Sequence, residues 1–240
     1  MAEAAFWGAL GGSALLLGAL AAYLLNPSRG VIAIVMALGT GVLLGAVAFD
    51  LVAEALKTRT VAWVGLMLLV GAAVFTVGDW LLDRHGASSR KDPSGAQAEG
   101  SSLAIVLGSV LDGIPESFVL GLTVLEGGVS LSLLVGVLLS NLPEGMASSS
   151  GLKAAGWPRG RVLWMWSAVV LVSAVSAAAG YALLDPASGQ TGALIQAFAA
   201  GALLAMLADT LLPEAYRIEG VLVGFLVAAG FAVSVALAAV

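Results

Sequence analysis

Eight runs of mainly apolar residues, at about 4 to 25, 31 to 56, 61 to 83, 101 to 125, 130 to 154, 161 to 184, 191 to 216 and 219 to 240, each have the length needed to cross a lipid bilayer. Hydrocarbon offers the backbone no hydrogen-bond partner, so each run must close its own bonds as a helix. Only 10% of the 240 residues are charged and 60% are hydrophobic, too few charges to cover a soluble domain of this length. Trp7, Tyr23, Trp63, Trp80, Trp164, Trp166, Tyr181 and Tyr216 fall close to run ends, where rings that prefer the headgroup level belong. The expectation is an all-α integral membrane protein with eight transmembrane helices in a single domain over residues 1 to 240.

Bases set the orientation. Arg29, then Arg84, Arg90 and Lys91, then Lys153, Arg159 and Arg161, then Arg217 lie in connections one, three, five and seven, against only Lys57 and Arg59 in connection two. That excess predicts cytoplasmic odd-numbered connections and extracytoplasmic termini. Connection three, about 84 to 100, is rich in Ser, Gly and Ala and reads as a mobile linker. The first base is Arg29, so the first run lacks a basic leader and reads as a retained helix. The net charge of −5 hides a segregation of acids into apolar runs and bases into loops, and no basic stripe suggests nucleic acid. With no cysteine, disulfides and thiolate ligands are excluded.

The segment Gly41 to Ala55 matches Gly201 to Ala215 without a gap at a constant offset, with identity at both ends and at Leu43/Leu203, Leu44/Leu204, Ala48/Ala208 and Leu51/Leu211. The two copies fall in helices two and seven, which run in opposite directions. An inverted repeat of helices 1 to 3 and 6 to 8 around helices 4 and 5 follows, a 3+2+3 plan of the kind transporters use.

Between those repeats lie two similar phrases, Asp112-Gly113-Ile114-Pro115-Glu116 and Ser140-Asn141-Leu142-Pro143-Glu144. An acid at the centre of a membrane helix costs about 2.5 to 3.5 kcal/mol, so Asp112, Glu116 and Glu144 together carry roughly 8 to 10 kcal/mol that something must offset. Residues four apart share a helix face, which stacks Asp112 with Glu116 and Ser140 with Glu144. Each proline lacks an N–H for the carbonyl four residues back, freeing the oxygens of Leu111 and Leu139. Neither segment holds Lys, Arg or His. Protonation, mutual hydrogen bonding or a bound cation remain as compensation, and carboxylates with Ser, Asn and backbone oxygens suit a divalent ion.

These phrases resemble the metal-binding signatures of the ZIP (ZRT/IRT-like) family of divalent metal transporters. Asn141-Leu142-Pro143-Glu144-Gly145 is similar to the family's fifth-helix motif, and Pro115-Glu116 to its fourth. Phe49 to Ala55 and Leu211 to Ala215 resemble its acidic helix-end phrases. The resemblance implies transport of a divalent ion, zinc first with Mn, Fe or Cd open, through a metal site of Asp112, Glu116, Ser140, Asn141 and Glu144. The metal would be cargo, with no resident cofactor and no enzymatic activity. Asp112 stands where the family has its His, Gly113 where it has an Asn, and Ser140 where it commonly has His or Gln. The set is therefore harder than usual, favouring oxygen-preferring ions. Helix six carries no acid before Asp185, which makes one ion the expectation rather than two. A cell-membrane location follows from the resemblance, and a homodimer is left open.

Asp50 and Glu54, and Asp209 and Glu214, stand near the outer end of helix two and the inner end of helix seven, as an entrance and exit path or as solvated acids. Asp79 and Asp83 read as interfacial, and the sole histidine, His85, as a loop residue. Three alternatives weigh against metal transport: a proton-linked carrier of another cationic substrate, a structural membrane subunit, and an intramembrane aspartyl protease using Asp50 and Asp79.

Overall fold

The computed structural model describes residues 1–88, 90–94, 102–125, 128–184 and 189–238. Among these, eight long helices form: α1 (Ala2–Leu24), α2 (Arg29–Thr58), α3 (Val61–Ala87), α4 (Ser102–Leu125), α5 (Leu131–Ala154), α6 (Arg159–Leu184), α7 (Thr191–Glu219) and α8 (Leu222–Leu237). Seven are long and apolar enough to cross a membrane; α8, with 16 residues, is shorter than the span expected at that end. The chain is a multi-pass membrane protein. Asp185 and part of connection three, residues 89 and 95–100, lie outside the described residues.

Local chemistry places the helix ends. Asn26 takes a positive φ of 48°, Pro27 follows, and Ser28 caps α2 by accepting from the Val31 N–H at 3.3 Å. Ser130 caps α5 through the Leu133 N–H at 3.2 Å. At the other end of α5, Gly156 adopts φ 85°, its N–H bonds the Lys153 carbonyl, and the Trp157 N–H reaches back to Leu152 at 2.9 Å, closing a Schellman turn.

Small residues set the helix packing, as they do where lipid removes any hydrophobic drive between helices. Gly41 of α2 lies against the Val227 carbonyl of α8, and Gly230 returns the contact at Leu38. On α3 and α7, Gly71 meets the Phe198 carbonyl and Gly201 meets Leu68. The same reciprocity joins α1 to α5 through Gly18 and Gly145, and α4 to α6 through Gly121 and Gly180. Helices α1, α4, α5 and α6 thus form one group and α2, α3, α7 and α8 another. The groups meet mainly along α2 and α5, where Gly39 sits on the Leu139 carbonyl that Pro143 leaves without its helical donor. Most of α5 is buried within the protein and little of α3 is, so α5 is central and α3 peripheral.

Two departures from α geometry interrupt the repeat segments. A π-turn spans Val47–Val52 in α2 and another spans Leu207–Leu211 in α7, at matching places in the two copies. Trp166, expected at the headgroup level, is instead fully buried and donates to the Ser149 hydroxyl at 2.8 Å, because it packs in a cluster with Leu15 and Ala19 of α1, Ile105 of α4 and Leu152 of α5.

Candidate functional site

Asp112, Glu116, Ser140, Asn141 and Glu144 are all buried, at 0–3% exposure. The Ser140 hydroxyl donates to Glu116 Oε1 at 2.9 Å, linking the two proline-bearing helices. The other oxygen of Glu116, Oε2, is buried without a hydrogen-bond partner. Glu116 lies within electrostatic reach of Glu144, Asp112 and Lys91. The Asn141 amide nitrogen turns to α1 and donates to the Gly11 carbonyl at 3.1 Å.

The compensating charge comes from the chain itself. Within connection three, Arg90, Lys91 and Asp92 are buried against the helices. Arg90 grips Asp112 with two donors, Nε to Oδ2 at 3.0 Å and Nη2 to Oδ1 at 3.1 Å, while Nη2 also reaches Asp79 at 2.5 Å and Nη1 reaches Asp83 at 3.3 Å. Lys91 Nζ bridges Asp112 Oδ2 and Glu144 Oε2, both at 3.0 Å, and donates to Thr210 at 3.1 Å. Burial alone would lower the pKa of both bases; the facing carboxylates outweigh it and raise them, so both stay charged. Asp79, read in the sequence as interfacial, is buried and paired with Arg90.

Glycine makes the room. A Cβ at Gly108 of α4 would lie 2.6 Å from Arg90 Cδ. Asp92 then fastens the segment to α7 by accepting from Arg217 at 3.0 Å, and it accepts from its own Ser94 N–H at 2.7 Å. Burial would raise the Asp92 pKa, but these donors hold it below the ordinary carboxylate range. A cavity of about 210 Å³ opens beside the segment, walled by Asp79, Asp83, Asp209, Thr210 and Glu214.

Among the described residues, no three His, Cys, Asp or Glu side chains stand close enough together to hold a metal ion. Between Asp112 and Glu144 stands the Lys91 ammonium. The path acids are partnered: Asp50 accepts from Ser130 at 2.6 Å and from Ser132, Glu54 pairs with Lys57 at 2.5 Å, Asp209 accepts from Thr76 at 3.5 Å, and Glu214 pairs with Arg217 at 2.7 Å. Asp50 and Asp79 take separate partners, on α5 and connection three. His85, at the end of α3, meets the Leu81 carbonyl at 2.7 Å. Arg90 and Lys91 escaped notice in the sequence because they lie in a stretch of loop composition. The available signal was arithmetic: buried acids without a base in their own helices leave loop bases as their partners.

No family model matches the chain. Over 190 residues, 75% of this chain, it is 29% identical to a protein of Arabidopsis thaliana named as a candidate zinc transporter. The chain spans 29% of that relative's length.

Proposed function

We propose that the chain carries a divalent metal cation across the membrane through the carboxylates of α4 and α5, with zinc first and Mn, Fe or Cd as further cargo. The ligands are Asp112, Glu116 and Glu144, with Ser140 and Asn141 beside them, and the protein works as a carrier rather than an enzyme. One observation carries the reading: of three buried acids on α4 and α5, two, Asp112 and Glu144, hold positive charge at a depth where none is expected. The name of the Arabidopsis relative supports zinc, and the Pro-Glu phrases support a ZIP-like transporter. The matching π-turns and reciprocal glycine contacts support an inverted repeat of α1–α3 and α6–α8 around α4 and α5. Both termini are extracytoplasmic, and the membrane is the cell membrane.

On this reading the cavity beside Asp209 and Glu214 leads from the site to the cytoplasm, and Asp50 and Glu54 face the other side. Uptake of Zn²⁺, Mn²⁺, Fe²⁺ and Cd²⁺ into vesicles carrying the purified protein tests it. Wild type moves at least one of the four, and Glu144→Gln abolishes both uptake and bound metal while the protein stays folded in detergent. If no ion moves, the reading fails. A carrier of organic cations is the second reading, favoured by the ammonium and guanidinium already seated on Asp112 and Glu144. Inhibition of metal uptake by methylammonium or guanidinium, with transport of the inhibitor itself, would select it.

A further inference from the structure

The geometry points to Arg90 and Lys91 as a tethered cation: the chain's own basic pair holds the carboxylate site when no ion is there, and a divalent ion takes the site only by displacing it. This rests on the metal-transport reading and adds how the empty site is filled. Lys91 Nζ lies 3.0 Å from both Asp112 Oδ2 and Glu144 Oε2. Metal–oxygen bonds are about 2.0 to 2.6 Å long, so an ion bridging the same two oxygens would occupy the ammonium's own position. Arg90 uses both oxygens of Asp112, one of them shared with Lys91. The two occupants exclude each other.

Three features mark the seat as built rather than incidental. Gly108 leaves the space that the Arg90 stem fills. Asp79 and Asp83, four apart on α3, together with the Ala87 carbonyl, take the remaining guanidinium donors. Thr210, within the π-turn of α7, accepts from Lys91, while Asp92 is bonded to Arg217 about two turns further along that helix. The segment therefore ties α3, α4, α5 and α7 around the site. The seated pair compensates Asp112 and Glu144 when no ion is bound, and the apparent metal affinity falls by the fraction of time the pair is seated.

Amine chemistry reads the displacement directly, because Lys57, Lys91 and Lys153 are the chain's only lysines. The Lys57 side chain is 68% exposed and that of Lys91 5%. The full-length protein in detergent is acetylated with a water-soluble active ester, with and without saturating Mn²⁺ or Zn²⁺, and each lysine is followed by mass spectrometry. Without metal, Lys91 should react about tenfold or more slowly than Lys57; with metal, its rate should rise about fivefold or more, with Lys57 unchanged. In parallel, Arg90→Gln/Lys91→Met should bind metal about tenfold more tightly than wild type. Should that double variant not fold, the wild-type labelling decides alone. Metal bound by wild type while Lys91 stays protected overturns the tethered cation and leaves transport standing. Absence of metal binding in both proteins overturns the transport reading and this inference with it.

Discussion

Asp112 is the residue on which both bases converge, and its removal should be felt through them. Asp112→Asn leaves a guanidinium and an ammonium buried with fewer partners, a loss of about 2 to 3 kcal/mol in unfolding stability in detergent. Adding Arg90→Gln to that variant should recover most of the loss, because the uncompensated charge goes with it; additive losses in the double-mutant cycle would show that the two groups are not coupled. Asp92 supplies a pH test. Its folded pKa lies below the ordinary value, so its bond to Arg217 contributes fully above about pH 4 and is lost as pH falls through the folded pKa. Asp92→Asn mimics the acid state at neutral pH and should raise the acetylation rate of Lys91 about two- to fivefold, the equivalent of roughly 0.5 to 1 kcal/mol for a partly exposed pair. At this scale the acids were legible in the sequence, since the transfer cost of Asp112, Glu116 and Glu144 singles them out wherever they sit. Their partners were not, because ion pairing across long separations leaves no local pattern.

Helix by helix, glycine contacts define which elements are joined. Gly41 and Gly201 are matched positions in the two repeat copies, each pressed against a carbonyl of the partner helix. Gly41→Val and Gly201→Val should therefore each destabilise the protein by about 1 to 3 kcal/mol, and by similar amounts, as judged by thermal unfolding in detergent. A loss at one position and none at the other would argue against equivalent roles. Gly65, on the lipid face of α3, has nothing within 4 Å of an added Cβ, so Gly65→Ala should leave stability unchanged or raise it by about 0.5 to 1 kcal/mol. The alignment of the two segments without a gap made their kinship readable from residues alone. Their π-turns were not readable, because one extra residue in a helical turn changes hydrogen bonding without changing composition. Both prolines were visible as helix-interior prolines. The role of Gly39 over the Leu139 carbonyl became visible only with α2 and α5 side by side.

At the level of the whole molecule, the apolar runs forecast eight spanning helices, because span length is dictated by bilayer thickness and leaves a direct trace in composition; among the described residues seven reach that length and the eighth is shorter. The grouping of α1, α4, α5 and α6 against α2, α3, α7 and α8 left no such trace, since it depends on which small residues meet. The proposed orientation rests on the bases alone; at the same end of the bundle Arg84 stacks over Trp80 at 3.7 Å and Arg161 over Trp157 at 3.9 Å. Absence of cysteine makes a direct check simple. Single replacements Thr60→Cys, between α2 and α3, and Arg159→Cys, at the start of α6, both fall at exposed positions on opposite sides of the proposed topology. In intact cells a membrane-impermeant maleimide should label Thr60→Cys at full rate and Arg159→Cys only after permeabilisation. The reverse pattern would invert the protein, turning the cavity beside Asp209 and Glu214 outward, so that the tethered bases would face the outside of the cell.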